Sequence, residues 1–467
     1  MSLTALLRPL GLVWILIGLA AALTSIAAMA MGEGDMAPIF GVSASIGIFP
    51  GLLLLIVTRG VSIKARAVEA LGLALFVWIT APLIAAFPFY LSGLFGPLDA
   101  AFEAYSAVTT TGAILEDPEN LPRSLVFWRS LLSWLGGYAT ILLAAAVFAA
   151  LDRDAPAIRR SVLLTTHADN VFSHLDLAAT RIAILYTLLT SIIWLALLFS
   201  GQSLYVATTL SMSALSTGGY SPVSTDLSTF LNPVSISVLV MGCSLGALNI
   251  SMFWDSLQDK KALLDPDIGG LLILILGVAT LYFLAQPGLP TRHLANAIFA
   301  VTTSGYSTSA ALSPVPVAAL FAALIGGAAA STSGGVKVSR ILLLWRRMEA
   351  ELSLLADPSS VARVRFRDRP APDRALIAIW SYVLAFAATL GLGGVLLSLN
   401  GLDFESSFSA VAAVLANAGP LYELSGSGHH WYSISDGAKI ILIPIMILGR
   451  LEVLAALAAI WALFSRK

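Results

Sequence analysis

Long apolar runs separated by short polar stretches fill the chain from end to end. Residues 10–30, 126–150, 234–253, 268–284 and 440–464 are examples. Crossing a bilayer core as a helix takes ~20 mostly apolar residues, so these runs predict membrane-spanning helices. They are too long and too uniformly apolar for the strands of a barrel, the other architecture that satisfies its backbone in lipid. The first run is expected to be a retained helix, because it is long and shows no clear small-x-small cleavage site followed by a soluble domain.

The pattern has a period. Two apolar helices, at 10–31 and 43–58, come first. A unit then recurs four times: a long helix, a short segment running into a glycine loop, and a second long helix. The predicted long helices are 67–88 and 124–150, 180–200 and 232–256, 268–287 and 315–346, and 374–399 and 436–464, which makes ten spans with the leading pair. The expected organisation is residues 1–60 as the leading pair and 61–151, 152–262, 263–347 and 374–467 as the four units. Residues 348–373 are charged, hold Pro370 and Pro372, and read as a cytoplasmic connector. The fold class predicted is an all-α polytopic membrane protein.

Composition supports that class. Of 467 residues 58% are hydrophobic and 11% charged, against about 25% charged in soluble domains. The net charge of −1 gives no ground for a nucleic-acid partner, and none is expected; the surroundings are the lipid bilayer. Basic residues cluster in alternate loops: Arg59, Lys64 and Arg66; Arg153, Arg159, Arg160 and Arg181; Lys337, Arg340, Arg346 and Arg347 with Arg363, Arg365, Arg367, Arg369 and Arg374; then Arg466 and Lys467. The loops between them carry Glu33 and Asp35, then Glu116, Asp117 and Glu119, then Asp226. The positive-inside rule puts the basic loops and both termini in the cytoplasm. The loop from Asp255 to Asp267 dissents, with four aspartates against Lys260 and Lys261, and is assigned inside because its neighbours require it. The one cysteine, Cys243, cannot form an intrachain disulfide and reads as a small core residue.

The loops of the four units are Thr109-Thr110-Thr111-Gly112-Ala113, Ser216-Thr217-Gly218-Gly219-Tyr220, Thr302-Thr303-Ser304-Gly305-Tyr306 and Ala416-Asn417-Ala418-Gly419-Pro420. Each has Thr or Asn two residues before the aligned glycine. Asp99, Ser203, Thr291 and Asp403 lie 13, 16, 14 and 16 residues before those glycines and are helix N-cap types. They predict short helices at 100–108, 204–214, 292–301 and 404–414. Each is ~15 Å long, half of the ~30 Å hydrocarbon core. Such a half-helix enters from outside, stops near mid-membrane and returns as extended chain. Its C-terminus carries partial negative charge and unpaired carbonyls. Four converging ends would suit a cation without any carboxylate, and the following strands could turn backbone carbonyls toward a dehydrated ion. Glycine suits such a strand because it reaches conformations closed to residues with a Cβ. Singly, each loop also reads as a turn or a packing site; the fourfold recurrence between membrane helices favours an ion pathway.

The chain resembles the Trk/Ktr/HKT superfamily of cation transporters, the TrkH branch in particular. The resemblance rests on the first loop with Leu121-Pro122, Phe127-Trp128-Arg129 and Trp134-Leu135-Gly136-Gly137, on Ser331-Thr332-Ser333-Gly334-Gly335-Val336-Lys337-Val338-Ser339-Arg340, and on Gly449-Arg450-Leu451-Glu452. It covers nearly the whole chain and includes the two leading helices. It implies four helix–pore loop–helix repeats around a central pore. The filter would be formed by Thr110, Thr111 and Gly112; Thr217, Gly218 and Gly219; Thr303, Ser304 and Gly305; and Asn417, Ala418 and Gly419. Some sodium-preferring members have Ser at the first filter glycine, so Gly112 implies potassium over sodium. Gly218 and the Asn417/Pro420 pair depart from the pattern and imply a filter without strict fourfold symmetry.

Arg450 lies mid-helix, where a charge costs about 2.5–3.5 kcal/mol on the insertion scale, and must face protein, water or a partner. Glu452 is too close in sequence to share its helix face. Arg450 reads either as part of an interior structural ion pair or, by the resemblance, as part of a gate below the filter. Gly326, Gly327, Ser331, Thr332, Ser333, Gly334 and Gly335 interrupt the 315–346 span and should loosen or break it. They read as close helix packing or, by the resemblance, as the gate loop, with Lys337 at its end. His429 and His430, and His167 and His174 beside Asp169 and Asp176, read as polar surface and not as metal ligands.

The resemblance implies potassium uptake across the cytoplasmic membrane, potassium being the transported ion with no covalently bound cofactor. It further implies a homodimer and a cytoplasmic nucleotide-binding regulatory subunit of the TrkA/KtrA type, which the basic patch from Arg363 to Arg374 could face; that patch fits anionic lipid equally well. The chain has no Walker or aspartyl-phosphate signature, no nucleophile–base pair and no metal cluster, so no enzyme is expected. A secondary transporter of another solute would call for inverted repeats, whereas the four units run in one orientation. A sodium-permeable cation transporter stays as a further alternative.

Overall fold

The computed structural model describes residues 3–60, 67–151, 171–256 without 225, 260, 264–308 without 287, 316–359, and 364–464 without 368, 427 and 452. Lys64, Arg66, Arg153, Arg159, Arg160, His167, Asp169, Lys261, Arg363, Glu452, Arg466 and Lys467 lie outside the described residues. The protein is helical almost throughout; among the described residues the strands are the antiparallel pair Arg365–Phe366 and Arg369–Pro370. Among the described residues, seven helices are long and apolar enough to cross a membrane: Leu6–Ala30, Met36–Val57, Glu69–Leu91, Arg123–Ala144, Leu177–Phe199, Pro266–Ala285 and Asp373–Leu399. Their outer faces expose large apolar side chains such as Phe199, Ile273, Leu384 and Val395, as a lipid-facing surface requires. The leading pair packs along glycines: a Cβ on Gly51 would lie 2.7 Å from the Gly11 carbonyl oxygen.

Two predicted spans are not continuous. The helix expected at 232–256 is Pro233–Ala247 followed by Ile250–Ser256, bent by 90°. Leu248 is extended, and the Asn249 Oδ1 accepts the Ser251 N–H (3.0 Å), starting the second piece afresh. The helix expected at 315–346 is Pro316–Ile325 and Val338–Ala356, joined by an irregular segment. Gly326, Ala330, Gly335 and Lys337 there have positive φ, which no α-helix accommodates. The last helix is described as Asp436–Leu451 and Val453–Phe464.

The dissenting acidic loop finds its explanation in packing. Arg367 donates from Nη2 to Asp265 Oδ1 and forms an ion pair with Asp267 Oδ2, both at 2.8 Å. The start of the Pro266–Ala285 helix and the connector therefore share one side of the membrane, and the acids are neutralised by a connector arginine that no local charge count includes.

Candidate functional site

Four short helices dip toward the centre: Pro97–Val108, Leu204–Ser216, Pro290–Val301 and Phe404–Leu415. Ser203 and Asp403 are N-caps as expected, accepting from Val206 N and Ser406 N. Asp99 and Thr291 are not. The first and third helices begin three and two residues earlier than expected, at Pro97 and Pro290, capped by Gly96 and Leu289. Proline is preorganised for the first helical position and has no N–H to leave unpaired there, so it overrides the cap residue downstream. Asp99 instead accepts a hydrogen bond from Lys439 Nζ at 2.6 Å.

All four helices end alike. Thr110, Thr217, Thr303 and Asn417 are left-handed, with φ of 52°, 53°, 62° and 51°. The chain then folds back on the helix end, with Thr111 N donating to Ser106 O, Gly218 N to Ser213 O and Ala418 N to Ala413 O. These are Schellman-type ends. In the third loop the acceptor, Phe299 O, is the equivalent one but the donor is one residue later, Gly305 N. Left-handed backbone at a β-branched residue costs of order 1–3 kcal/mol, and here it occurs three times at equivalent positions. The expectation assigned unusual backbone to the glycines alone. The Asn aligned with three threonines carried the missing signal, since Asn is the non-glycine residue most at home in this region.

Gly112, Gly219 and Gly305 are also left-handed, at 77°, 72° and 66°. Gly419 is not; at φ −50° it caps the short helix Pro420–Ser425. The four loops meet at one place. A Cβ on Gly112 would collide with the Gly218 carbonyl oxygen, and one on Gly219 with that of Ser304. Gly419 N donates to Thr111 O at 2.6 Å, and Asn417 Nδ2 to Thr111 Oγ1 at 3.0 Å. At three of the four junctions, therefore, a glycine lies against the carbonyl that precedes the aligned glycine of the next loop. The third-to-fourth junction differs: there Gly305 meets Pro420. The Pro420 ring lies within 3.4 Å of the Cβ positions of Gly112, Gly219 and Gly305. The loops hold no charged side chain, so a cation among them would be met by carbonyl and hydroxyl oxygens.

Outside the loops is a cavity lined by the three left-handed glycines, Tyr220, Asp226 and Glu423. Burial raises the Glu423 carboxyl to about 7, partly offset by its hydrogen bond from Trp431 N. His429 is not free surface: it stacks on Tyr422 and lies between Ser406 Oγ (2.9 Å) and Ser425 Oγ (3.0 Å). Among the described residues no group of His, Cys, Asp and Glu could hold a metal ion.

Inside the loops lies the 326–337 segment, which touches the C-terminal ends of the second, third and fourth short helices directly and that of the first through Arg450. Thr332 Oγ1 donates to Leu215 O at 2.8 Å. Gly334 N donates to Thr303 Oγ1 at 2.9 Å, and a Cβ on Gly334 would collide with Ala416 O. Arg450 makes the link to the first helix: Nε donates to Thr109 O and Nη1 to Thr332 O and Ser333 O. Lys337 Nζ closes the segment on itself through Ser333 O and Ser331 Oγ. The bend at 247–250 supplies the remaining support, because Gly246 O and Ala247 O accept from Thr332 N and Ala328 N.

Behind the first loop is an ion pair that motif reading did not assign. Glu103 and Arg129, both fully buried, share two bonds of 2.8 Å. Glu103 also accepts Leu115 N (2.6 Å) and Arg129 donates to Glu116 O (3.0 Å), fixing the strand that leaves Gly112. An acid and an arginine inside two otherwise apolar segments were the available signal.

Comparison with known proteins adds the family. The family model TrkH, described as cation transport protein, matches residues 59–285 and 291–463. The "Trk system potassium uptake protein TrkH" of Salmonella typhimurium is 33% identical over 388 residues, covering 79% of this chain and 80% of that protein. That of Halomonas elongata is 27% identical over the full length of both. The solved structure of the potassium transporter TrkH from Vibrio parahaemolyticus superposes with a TM-score of 0.89 at 25% identity, covering 100% of each chain.

Proposed function

The chain belongs to the TrkH family of cation transport proteins, and from that premise we propose that it takes up potassium through a channel-like pore. One observation carries the reading. Four uncharged loops, each at the C-terminus of a short helix, meet at one place. Each helix end contributes roughly half a negative charge, and carbonyls spaced by glycine replace the water of a dehydrated ion. The filter residues are Thr110–Gly112, Thr217–Gly219, Thr303–Gly305 and Asn417–Gly419. Glycine at 112 favours potassium over sodium.

The gate is the 326–337 segment with Arg450. It lies across all four helix ends and so stands in the path of an ion leaving the filter inward. The guanidinium repels a cation while its bonds hold the segment in place. The protein sits in the cytoplasmic membrane with both termini inside. It assembles as a homodimer and answers to a cytoplasmic nucleotide-binding subunit of the TrkA/KtrA type; these assignments rest on the family resemblance.

Rubidium uptake into vesicles containing the pure protein tests the proposal. Excess potassium should suppress it, while equal sodium or an amino acid should not. Uptake indifferent to excess potassium would overturn the reading.

A further inference from the structure

Two of the four aligned glycines are followed directly by tyrosine, Gly219-Tyr220 and Gly305-Tyr306; the other two are followed by Ala113 and Pro420. Neither tyrosine faces solvent, being 3% and 5% exposed. Their hydroxyls run behind the loops. Ser106 Oγ donates to Ala113 O (2.7 Å) and takes the Tyr220 hydroxyl at 3.1 Å, tying the first loop to the second. Tyr220 N donates to Ser213 Oγ at 2.7 Å. The Tyr306 hydroxyl, from the third loop, lies within hydrogen-bond distance of both that same Ser213 Oγ and the Tyr220 carbonyl oxygen, each at 2.7 Å. Edge-on packing against Phe299 fixes the Tyr306 ring. The result is one connected belt through the first three loops. The fourth is held differently, by Trp431 Nε1 donating to Gly419 O at 3.1 Å.

We infer that Tyr306 and Tyr220 are positioning residues for ion selectivity: their hydroxyls hold the first three loops at a fixed spacing. This rests on the pore reading above. A smaller ion needs the carbonyls to close in around it, and a belt bonded from behind resists that movement. Removing either tyrosine hydroxyl also leaves the buried serine or carbonyl oxygen it bonded short of a partner, so the belt acts as a unit.

The test compares wild type with Tyr306→Phe, Tyr220→Phe and Tyr138→Phe in proteoliposomes, measuring rubidium uptake against competing sodium and potassium. Tyr138 donates to Ala179 O on a distant helix and serves as control. Tyr306→Phe should lower the potassium-over-sodium preference roughly tenfold, the factor that about 1.4 kcal/mol of lost hydrogen bonding represents. Tyr220→Phe should lower it in the same direction, and Tyr138→Phe should leave it unchanged. A merely structural role would reduce the amount of folded protein but not the ratio. If Tyr306→Phe does not fold, Tyr220→Phe decides by the same ratio. A selective wild type with unchanged preference in the folded belt variants overturns this inference alone. A wild type without potassium preference overturns the pore reading beneath it.

Discussion

Gly112 combines two constraints that few residues could meet together. Its φ is 77°, and the space where a side chain would start is filled by the Gly218 carbonyl oxygen and the Pro420 ring. Serine at 112 must therefore push the second loop away, and that loop supplies neighbouring oxygens of the proposed filter. Gly112→Ser should give a folded protein that admits sodium more readily; unchanged preference in bi-ionic flux would show that Gly112 does not line the filter. Glu423 gives a second residue-scale prediction. Its carboxyl, raised from 4.5 to about 7, is charged at the outer mouth in alkali and neutral in acid. Rubidium uptake below saturation should fall from pH 8 to pH 6, and Glu423→Gln should remove that part of the fall. Stability runs the other way. The folded state binds the extra proton between 4.5 and 7, so this group's contribution is full below 4.5 and is lost as pH rises through 7. At this scale the sequence showed which residues line up but not their backbone. The Thr and Asn before the glycines were visible as a column, yet their left-handed geometry is imposed by chain reversal at a helix end.

At the scale of elements, the interrupted helices do more than span. The short helices were legible to within a few residues, because caps, prolines and apolar stretches are local signals. The 247–250 break was not, since Leu248-Asn249 carries no strong breaker and its purpose lies 80 residues away: two freed carbonyls that receive the 326–337 segment. Deleting 328–333 should raise rubidium flux in a folded protein by removing the obstruction; flux unchanged would end the gate reading. Thr332→Ala, which loses bonds to Leu215 O and Gly246 O, should raise it less. The Glu103–Arg129 pair predicts a stability effect. Arg129→Met strands a buried carboxylate and should cost about 3–5 kcal/mol, seen as a lower unfolding temperature in detergent. Adding Glu103→Gln should recover much of that loss, because the neutral amide can still accept from Leu115 N.

For the whole molecule, hydropathy alone placed the chain in the bilayer and marked the seven clear spans. The other three of the ten expected spans, 232–256, 315–346 and 436–464, are each described as two helical pieces, which a count of long unbroken apolar helices passes over. The acidic loop at 255–267 shows the same limit for charge: its sidedness follows from Arg367, over a hundred residues away. The central claim is that an ion passes between the four loops. Anomalous diffraction from rubidium-soaked crystals of transport-competent protein tests it most directly. The account predicts a rubidium peak among the carbonyl oxygens of residues 110–112, 217–219, 303–305 and 417–419. Rubidium bound only elsewhere in the protein, with none between the loops, would contradict it.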